Sequence, residues 1–519
     1  MITKLITIIC LSLLFNTSEE KIELPNIIFI MSDDHAESAI SYYNDKLINT
    51  PNIDRIGVEG VKFNNSFVTN SICAPSRATM LTGKYSHKNG LRDNRDEFDG
   101  SQQTYPKLLQ KAGYETMLVG KWHLKTEPTG FDSWKVLTGQ GEYYNPEFKT
   151  KNGTKEFEGY TTDIITELSI DALENRNKDK PFLLLMHHKA PHRNWMPHTK
   201  YLDSLEERDF PIPPTFYDDY KTRENTAGHA DMRIEDMFLS MDMKLQRNSY
   251  EFETGSGGAT NWTSDNSLNV WLNSYSRMPK EHKELWDEYY SNINQEYKNL
   301  AENGKSTLEW KYQRYMKDYL KCILSVDESV GNVLDYLDEQ NLSKNTIVVY
   351  TSDQGFYLGE HGWYDKRFMY EESFSMPLLI RYPNEIKPGT VSNELVMNLD
   401  FAETFLDYAG VQIPSDMQGE SLREICRGKK VEDWRNSVYY HYYEYPHGWH
   451  MVRPHYGLRT HKYKIINFYG EKNIWEFYDL QKDPNELHNE YSNPLLKDKI
   501  KELKIELSNL QEYYEDIQN

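Results

Sequence analysis

Residues 25–34, PNIIFIMSDD, constrain the fold more than any other stretch: an apolar, isoleucine-rich run stops abruptly on two adjacent carboxylates. Such a run reads as a strand buried in a parallel sheet, and the C-terminal ends of such strands are where open α/β sheets hold their ligands. The pattern recurs. Leu118-Val119-Gly120 leads into Lys121-Trp122-His123, residues 181–186 (PFLLLM) into HHKAPH at 187–192, and residues 346–350 (TIVVY) into Thr351-Ser352-Asp353-Gln354-Gly355. Between these runs lie helical stretches. TYPKLLQKAGYET has apolar residues at helical spacing with Gly113 as a C-cap signal, and YLKCILSVDESVGNVLDYLDEQN is a long amphipathic helix. The alternation predicts an α/β fold: a large, mixed, mostly parallel, doubly wound sheet flanked by helices, with four strand ends converging on one rim.

The 519 residues, 38% hydrophobic and 13% aromatic, support a large folded core. Residues 201–310 have another texture, rich in Asp, Glu, Tyr, Asn and Met with GSGG at 255–258. They read as a helical and looped insertion in a catalytic domain spanning 19–435, either shaping a substrate cleft or forming a solvated excursion. From 436 the chain alternates around tyrosines (SVYYHYYEY, HYGLRTHKYKIINFY, WEFYDL) and ends in a charged amphipathic stretch. That predicts a C-terminal subdomain, 436–519, with a small antiparallel sheet and a terminal helix.

A formal net charge of −21 argues against nucleic-acid binding, which needs clustered Lys and Arg. An anionic substrate would require a local basic pocket set against that field. At the start of the chain, Lys4 precedes an apolar run over 5–15 and then a polar stretch, the anatomy of a signal peptide over 1–18 and too short to span a bilayer. A secreted or periplasmic protein is expected, without a membrane span. No lipoprotein anchor is expected either, because Ile9 precedes Cys10 where a small residue would be needed. The remaining Cys73, Cys322 and Cys426 make no disulfide framework. One pair could form, leaving Cys73 over.

Asp33 and Asp34 cannot both ionise in a dry pocket without a cation, although Asp at such a position would also cap a helix. Asp353 and Gln354 would add a carboxylate and an amide oxygen, all hard donors suited to Ca²⁺ or Mg²⁺ and not to Zn²⁺. In CAPSRATMLTG at 73–83, Pro75-Ser76 should begin a helix. Cys73 then sits just before a positive helix end, with the oxyanion-binding guanidinium of Arg77 one turn in. An isolated cysteine is more often a small buried hydrophobe. Here the thiol could equally be a nucleophile, half of a disulfide, a metal ligand, or a precursor of something else.

CAPSRATMLTG fits the sulfatase signature, Cys-x-Pro-Ser-Arg followed by x-x-x-Leu-Thr-Gly, and GYETMLVGKWHLK resembles the second sulfatase signature. The Asp-Asp pair, the Ala-Pro-His after a strand, the Ser-Asp-x-Gly strand end and the tail WEFYDLQKDPNELHN extend the resemblance, in order, along nearly the whole chain. It is to the formylglycine-dependent sulfatases of the alkaline phosphatase superfamily, and implies that fold. It further implies that Cys73 is oxidised to formylglycine (3-oxoalanine) by a formylglycine-generating or anaerobic sulfatase-maturing enzyme, its hydrated aldehyde being the nucleophile. Asp33, Asp34, Asp353, Gln354 and the modified Cys73 would ligate calcium, in preference to magnesium. Gln354 replaces the family's commoner Asn or His. Arg77 and Lys121 would hold the nucleophile's oxygens, His123 would take the proton that expels sulfate, and His192 and Lys366 would contact the ester and the leaving oxygen.

MHHKAPHRNWMP, SDQGFYLGEHGWYDKRFMYEES and HGWHMVRPHYG look most like sulfatases of carbohydrate esters, including hexosamine-6-sulfatases and enzymes of algal polysaccharide breakdown. The expected substrate is a sulfated oligo- or polysaccharide of ulvan, glycosaminoglycan or mucin type. Arg95, His361, Arg367, Trp449, His450 and His455 are the candidate sugar contacts, since Trp and His suit a sugar face and Arg a uronate or second sulfate. Two alternatives remain open at this point: a phosphonate or phosphodiester hydrolase of the same superfamily, and a catalytically silent carbohydrate-binding homologue.

Overall fold

The computed structural model describes residues 23–249, 255, 262–304 and 306–517. The leader expected over 1–18 and most of the GSGG turn lie outside the described residues. The four apolar runs form strands β1 (Asn26–Ser32), β2 (Glu115–Gly120), β3 (Phe182–His187) and β4 (Thr346–Ser352). They pair in parallel in the order β4-β1-β3-β2 at the centre of a ten-stranded sheet. Beyond β2 lie a parallel strand, Ser133–Leu137, and then the antiparallel Glu147–Thr150 and Gly153–Glu156. Beyond β4, Leu378–Arg381 runs antiparallel and carries Val61–Phe63 and Thr390–Ser392. The expected mixed, mostly parallel α/β sheet is the observed one.

Register explains why the strand ends meet. Ser32 lies opposite Ser352, Met31 opposite His187, and Gly120 opposite His187, so the four central strands stop at one level. Their apolar runs are continuous because both faces are covered: Ile27, Phe29 and Met31 belong to one core cluster and Ile28 and Ile30 to the other. Leu308–Glu339 and Thr161–Glu174 pack on one face; Cys73–Thr82, Tyr105–Lys111 and Phe401–Tyr408 pack on the other.

Within 201–310 the described residues form short 3-10 turns and the helices Ser264–Arg277 and Lys280–Glu302. Trp286 and Tyr290 bury this segment against the Leu308–Glu339 side of the core, so it is no solvated excursion. At the C-terminal end, Ser437–Tyr442, His455–Thr460, Tyr463–Phe468 and Ile474–Asp479 form an antiparallel sheet. The terminal helix Lys497–Tyr513 packs on it, burying Ile500, Leu503 and Leu507. Leu458, Ile465 and Phe477 of this sheet share one apolar cluster with Phe29 of β1. Cys73, Cys322 and Cys426 are all free and buried. Among the described residues no helix is long and apolar enough to cross a membrane.

Candidate active site

After β1 the backbone turns through Asp34 at a φ of 66°. The Asp34 N–H donates to Asp353 Oδ1 at 3.1 Å and the Asp353 N–H to the Ser32 carbonyl at 3.2 Å, lacing two strand ends together. Asp33, Asp34 and Asp353, all buried, each present an oxygen within 4.8 Å of the others. Three cations answer them. Arg77 donates from Nε and Nη2 to Asp353 Oδ2 at 3.0 and 2.9 Å, and from Nη1 to the Lys121 carbonyl at 3.0 Å. Lys121 donates to Asp33, and Lys366 to both oxygens of Asp34 at 2.5 and 2.7 Å.

Burial would raise all three carboxyls, but they separate according to their partners. At Asp33 burial is outweighed by Lys121, Arg77 and Lys366, which hold the carboxyl well below the usual range. At Asp34 burial prevails over Lys366, with Asp33 adding to the rise. Asp353, buried and facing Asp33, is pushed up to about 7 against Arg77. Two oxygens at this site lack a hydrogen bond. Asp33 Oδ1 and Gln354 Oε1 are buried without a hydrogen-bond partner, a costly state for polar atoms in a folded interior. The three carboxylates converge on one point, and hard oxygen donors of this kind fit a divalent cation such as Ca²⁺.

Cys73 stands beside this cluster, with Gln354 Nε2 at 4.0 Å from its Sγ. Its helix, Cys73–Thr82, starts two residues earlier than the Pro75-Ser76 start expected from sequence. Proline is tolerated there because the first N–H groups of a helix have no intrahelical acceptor, and the first bond runs from the Ser76 N–H to the Ile72 carbonyl at 3.1 Å. The Ser76 hydroxyl donates to the Asp353 carbonyl at 2.5 Å, tying the helix to β4. Burial pushes the Cys73 thiol up to about 12 against the opposing pull of Lys121 and Lys366. A thiol so raised stays protonated at neutral pH and is not an activated thiolate.

The turn after β3 supplies His192. Its Nδ1–H donates to the Arg193 carbonyl at 2.7 Å, which leaves Nε2 facing Asp34 Oδ2 at 3.8 Å. His123, at a φ of 57° after β2, lies in the field of Lys121, Asp33 and Arg77. Burial lowers both imidazoles well below the ordinary histidine range, so both are neutral. The structure thus brings Cys73, Arg77, Lys121, His123, His192 and Lys366 to one rim with Asp33, Asp34, Asp353 and Gln354.

A cleft of about 300 Å³ opens above them, with Asp34, Cys73, His192 and Lys366 at its base. Of the expected sugar contacts, Arg367 and Trp449 line it. Arg367 donates to Asp365 Oδ1 at 2.6 Å and to the Trp449 carbonyl at 3.2 Å. His450 is buried behind them, with Nε2 at 3.2 Å from Asp365 Oδ2. Arg95 points to solvent and pairs with Asp93 at 3.1 Å, while its neighbour Asn94 lines the cleft.

His361 and His455 are corrections. His361, at a φ of 56°, turns its ring into the core, with Nδ1 at 3.0 Å from Asp218 and its ring against Trp363 and Tyr370. His455 is used at both nitrogens: Nδ1–H donates to the Arg453 carbonyl at 2.8 Å and Nε2 accepts from the Met369 N–H at 3.1 Å. Burial pushes its pKa down to about 3, the signature of a neutral structural imidazole. Conversely, Lys189, Arg193, Asn194 and Asp365 line the cleft without having been singled out. Each lies within HKAPHRN or WYDKR, no more than three residues from His192 or Lys366.

Residues 25–411 match the sulfatase family, and residues 359–513 match the C-terminal region of N-sulphoglucosamine sulphohydrolase. The chain belongs to the sulfatase family, and it is a sulfuric ester hydrolase of carbohydrate sulfates. It is 47% identical over 507 residues to the N-acetylglucosamine-6-O-sulfatase of Bacteroides thetaiotaomicron, covering 96% of this chain and 88% of that one. It superposes with a TM-score of 0.90 and 48% identity on a protein solved in complex with its substrate D-glucosamine-2-N,6-O-disulfate, covering 95% of this chain and 99% of that one. Human N-acetylglucosamine-6-sulfatase is 26% identical over 445 residues, 80% of this chain and 67% of its own. A phosphonate monoester hydrolase from Silicibacter pomeroyi, at 19% identity and a TM-score of 0.68 over 94% of this chain and 95% of its own, shares the fold.

Proposed function

We propose that this chain is an exported glucosamine-6-O-sulfatase that removes the 6-O-sulfate from a sulfated glucosamine of an oligosaccharide and releases inorganic sulfate. The likeness to the Bacteroides thetaiotaomicron enzyme over 96% of the chain carries the reading. The lone Lys4 and apolar run over 5–15 support export.

Cys73, converted to formylglycine by a dedicated maturing enzyme, would supply the nucleophile as its hydrated aldehyde. A calcium ion held by Asp33, Asp34, Asp353, Gln354 and the modified residue 73 would supply Lewis-acid charge at the sulfate. The chain's own residues do the rest. Arg77 and Lys121, fixed by Asp353 and Asp33, orient the attacking oxygens. Lys366, held on Asp34, stabilises negative charge on the sulfuryl group in a site from which water is largely excluded. His192 presents Nε2 to the leaving oxygen because Nδ1–H is committed to Arg193. An arriving sulfate favours its imidazolium, which then donates the proton to O6. His123, neutral and buried, is in its base form to accept the proton whose removal expels sulfate.

The deciding experiment presents the purified, aldehyde-bearing protein with glucosamine derivatives sulfated at one defined position, alongside a phosphonate monoester. Sulfate release confined to 6-O-sulfated sugars is expected. A higher kcat/KM for the phosphonate, or for another sulfate position, would replace this reading.

A further inference from the structure

Four cationic side chains line the cleft, and three are already matched to carboxylates. Lys366 pairs with Asp34, Arg367 with Asp365 at 2.6 Å, and Arg193 forks onto both oxygens of Asp242 at 2.7 Å each. Lys189 differs. Its residue is 4% exposed, yet its ammonium has no ion pair or hydrogen bond among the described residues. Nζ instead lies 4.8 Å from the centroid of the Tyr143 ring. Glu142, the other carboxylate on that wall, accepts from Asn273 Nδ2 at 3.3 Å and Ser274 Oγ at 3.0 Å.

An ammonium withdrawn from water without a counter-ion is expensive, and the aromatic face repays only part of that cost. Burial first and Lys121 second lower its pKa to about 8, so it remains charged at neutral pH. The position is built. The His188 N–H donates to the Met31 carbonyl at 2.8 Å, and the His192 N–H to the Lys189 carbonyl at 3.0 Å. Tyr143, under the ammonium, donates its hydroxyl to the His192 carbonyl at 2.6 Å. Lys189 and His192 therefore sit in one braced turn and line the same cleft.

We propose that Lys189 is the seat of a second anionic group on the substrate, a sulfate or sulfamate carried by the sugar whose ester is cleaved, and that it sets a preference for doubly sulfated glucosamine. The assignment rests on the sulfatase reading above. The ester undergoing hydrolysis is already served by Arg77, Lys121 and Lys366, each tied to the Asp33, Asp34 and Asp353 cluster. Lys189 pairs with none of those carboxylates and lies on the Tyr143 wall, where charge is presented to another part of the ligand.

The test compares wild type, Lys189→Met and Lys189→Arg on glucosamine-2-N,6-O-disulfate and N-acetylglucosamine-6-sulfate. The kcat/KM ratio of disulfated to monosulfated sugar should fall at least about tenfold in Lys189→Met, mainly through KM, and return in Lys189→Arg. Equal losses on both sugars, or no change in the ratio, would overturn the proposal. A second measurement needs no turnover and no Lys189 variant: calorimetric binding of glucosamine 2-N-sulfate and of N-acetylglucosamine to Cys73→Ala full-length protein. Tighter binding of the N-sulfated sugar is expected, and equal binding would sink the assignment whatever the activity. If the wild type releases no sulfate from either ester, the proposed function falls, and the binding comparison alone decides Lys189.

Discussion

Cys73 has no activated thiolate, so its substitution separates chemistry from folding. Cys73→Ala should lower turnover by more than about 10³-fold while leaving the circular dichroism spectrum intact. His192→Ala should cost about 10²–10⁴ in kcat on a sugar sulfate, where the departing alkoxide needs a proton. On an aryl sulfate, whose phenolate leaves unaided, the loss should be much smaller, and a similar loss on both would remove His192 from the acid role. The buried oxygens of Asp33 and Gln354 that lack a hydrogen bond predict that a chelator lowers both activity and melting temperature, and that Ca²⁺, not Zn²⁺, restores them. At this scale the sequence was legible where a polar residue directly follows a buried strand, as with Asp33, Lys121 and Asp353. It misled at His361 and His455, because a histidine facing inward reads the same as one facing a cleft. Lys189 escaped notice because lacking a counter-ion is a property of three dimensions.

The rim depends on how β2 ends. Gly120 has a φ of 107°, and a Cβ there would overlap the His187 carbonyl oxygen of β3. Gly120→Ala should therefore destabilise the fold by about 1–3 kcal/mol from backbone strain alone, with a disproportionate loss of activity through Lys121. Thermal melts and kcat measured together would check it. On the helix Phe401–Tyr408, Glu403 accepts from the Gly419 N–H at 2.7 Å through Oε1, while Oε2 is buried and unpartnered. Burial, with Asp400 adding, pushes its pKa up to about 8. The folded state thus holds a proton that the unfolded chain gives up above its ordinary value of 4.5, and this contribution to stability is lost as pH rises from there through about 8. Glu403→Gln should gain melting temperature over wild type across that window, most at its alkaline end, and a constant difference would refute the shift. Elements buried on both faces, β1 and β3 above all, announced themselves as continuous apolar runs. The exposed edge strand Gly153–Glu156 and its four-residue neighbour Glu147–Thr150, in which only Phe148 is buried, carry no such run and were not foreseen.

Across the whole molecule the two sheets share one continuous apolar cluster, so the C-terminal region is fastened to the catalytic domain and does not hang from it. Leu507→Ala, on the buried face of the terminal helix, should cost about 2–5 kcal/mol and shift a single cooperative transition. A separate early transition of the C-terminal part would contradict the shared core. The antiparallel C-terminal sheet and the acidic surface were legible because tyrosine alternation and net charge are summed properties. The fusion of the cores was not, because it depends on which faces meet. Every residue of the helix Cys73–Thr82 is buried, Cys73 being 1% exposed. If Cys73 is matured as proposed above, an enzyme that reads Cys-x-Pro-Ser-Arg would reach its target only while the chain is still open. Maturation and folding would then compete in time, and a molecule that closes around an intact thiol would be locked out of activity for as long as it stays folded. The yield of working enzyme would then be set by a race, one that slowing the folding of the Cys73 helix tilts toward the aldehyde.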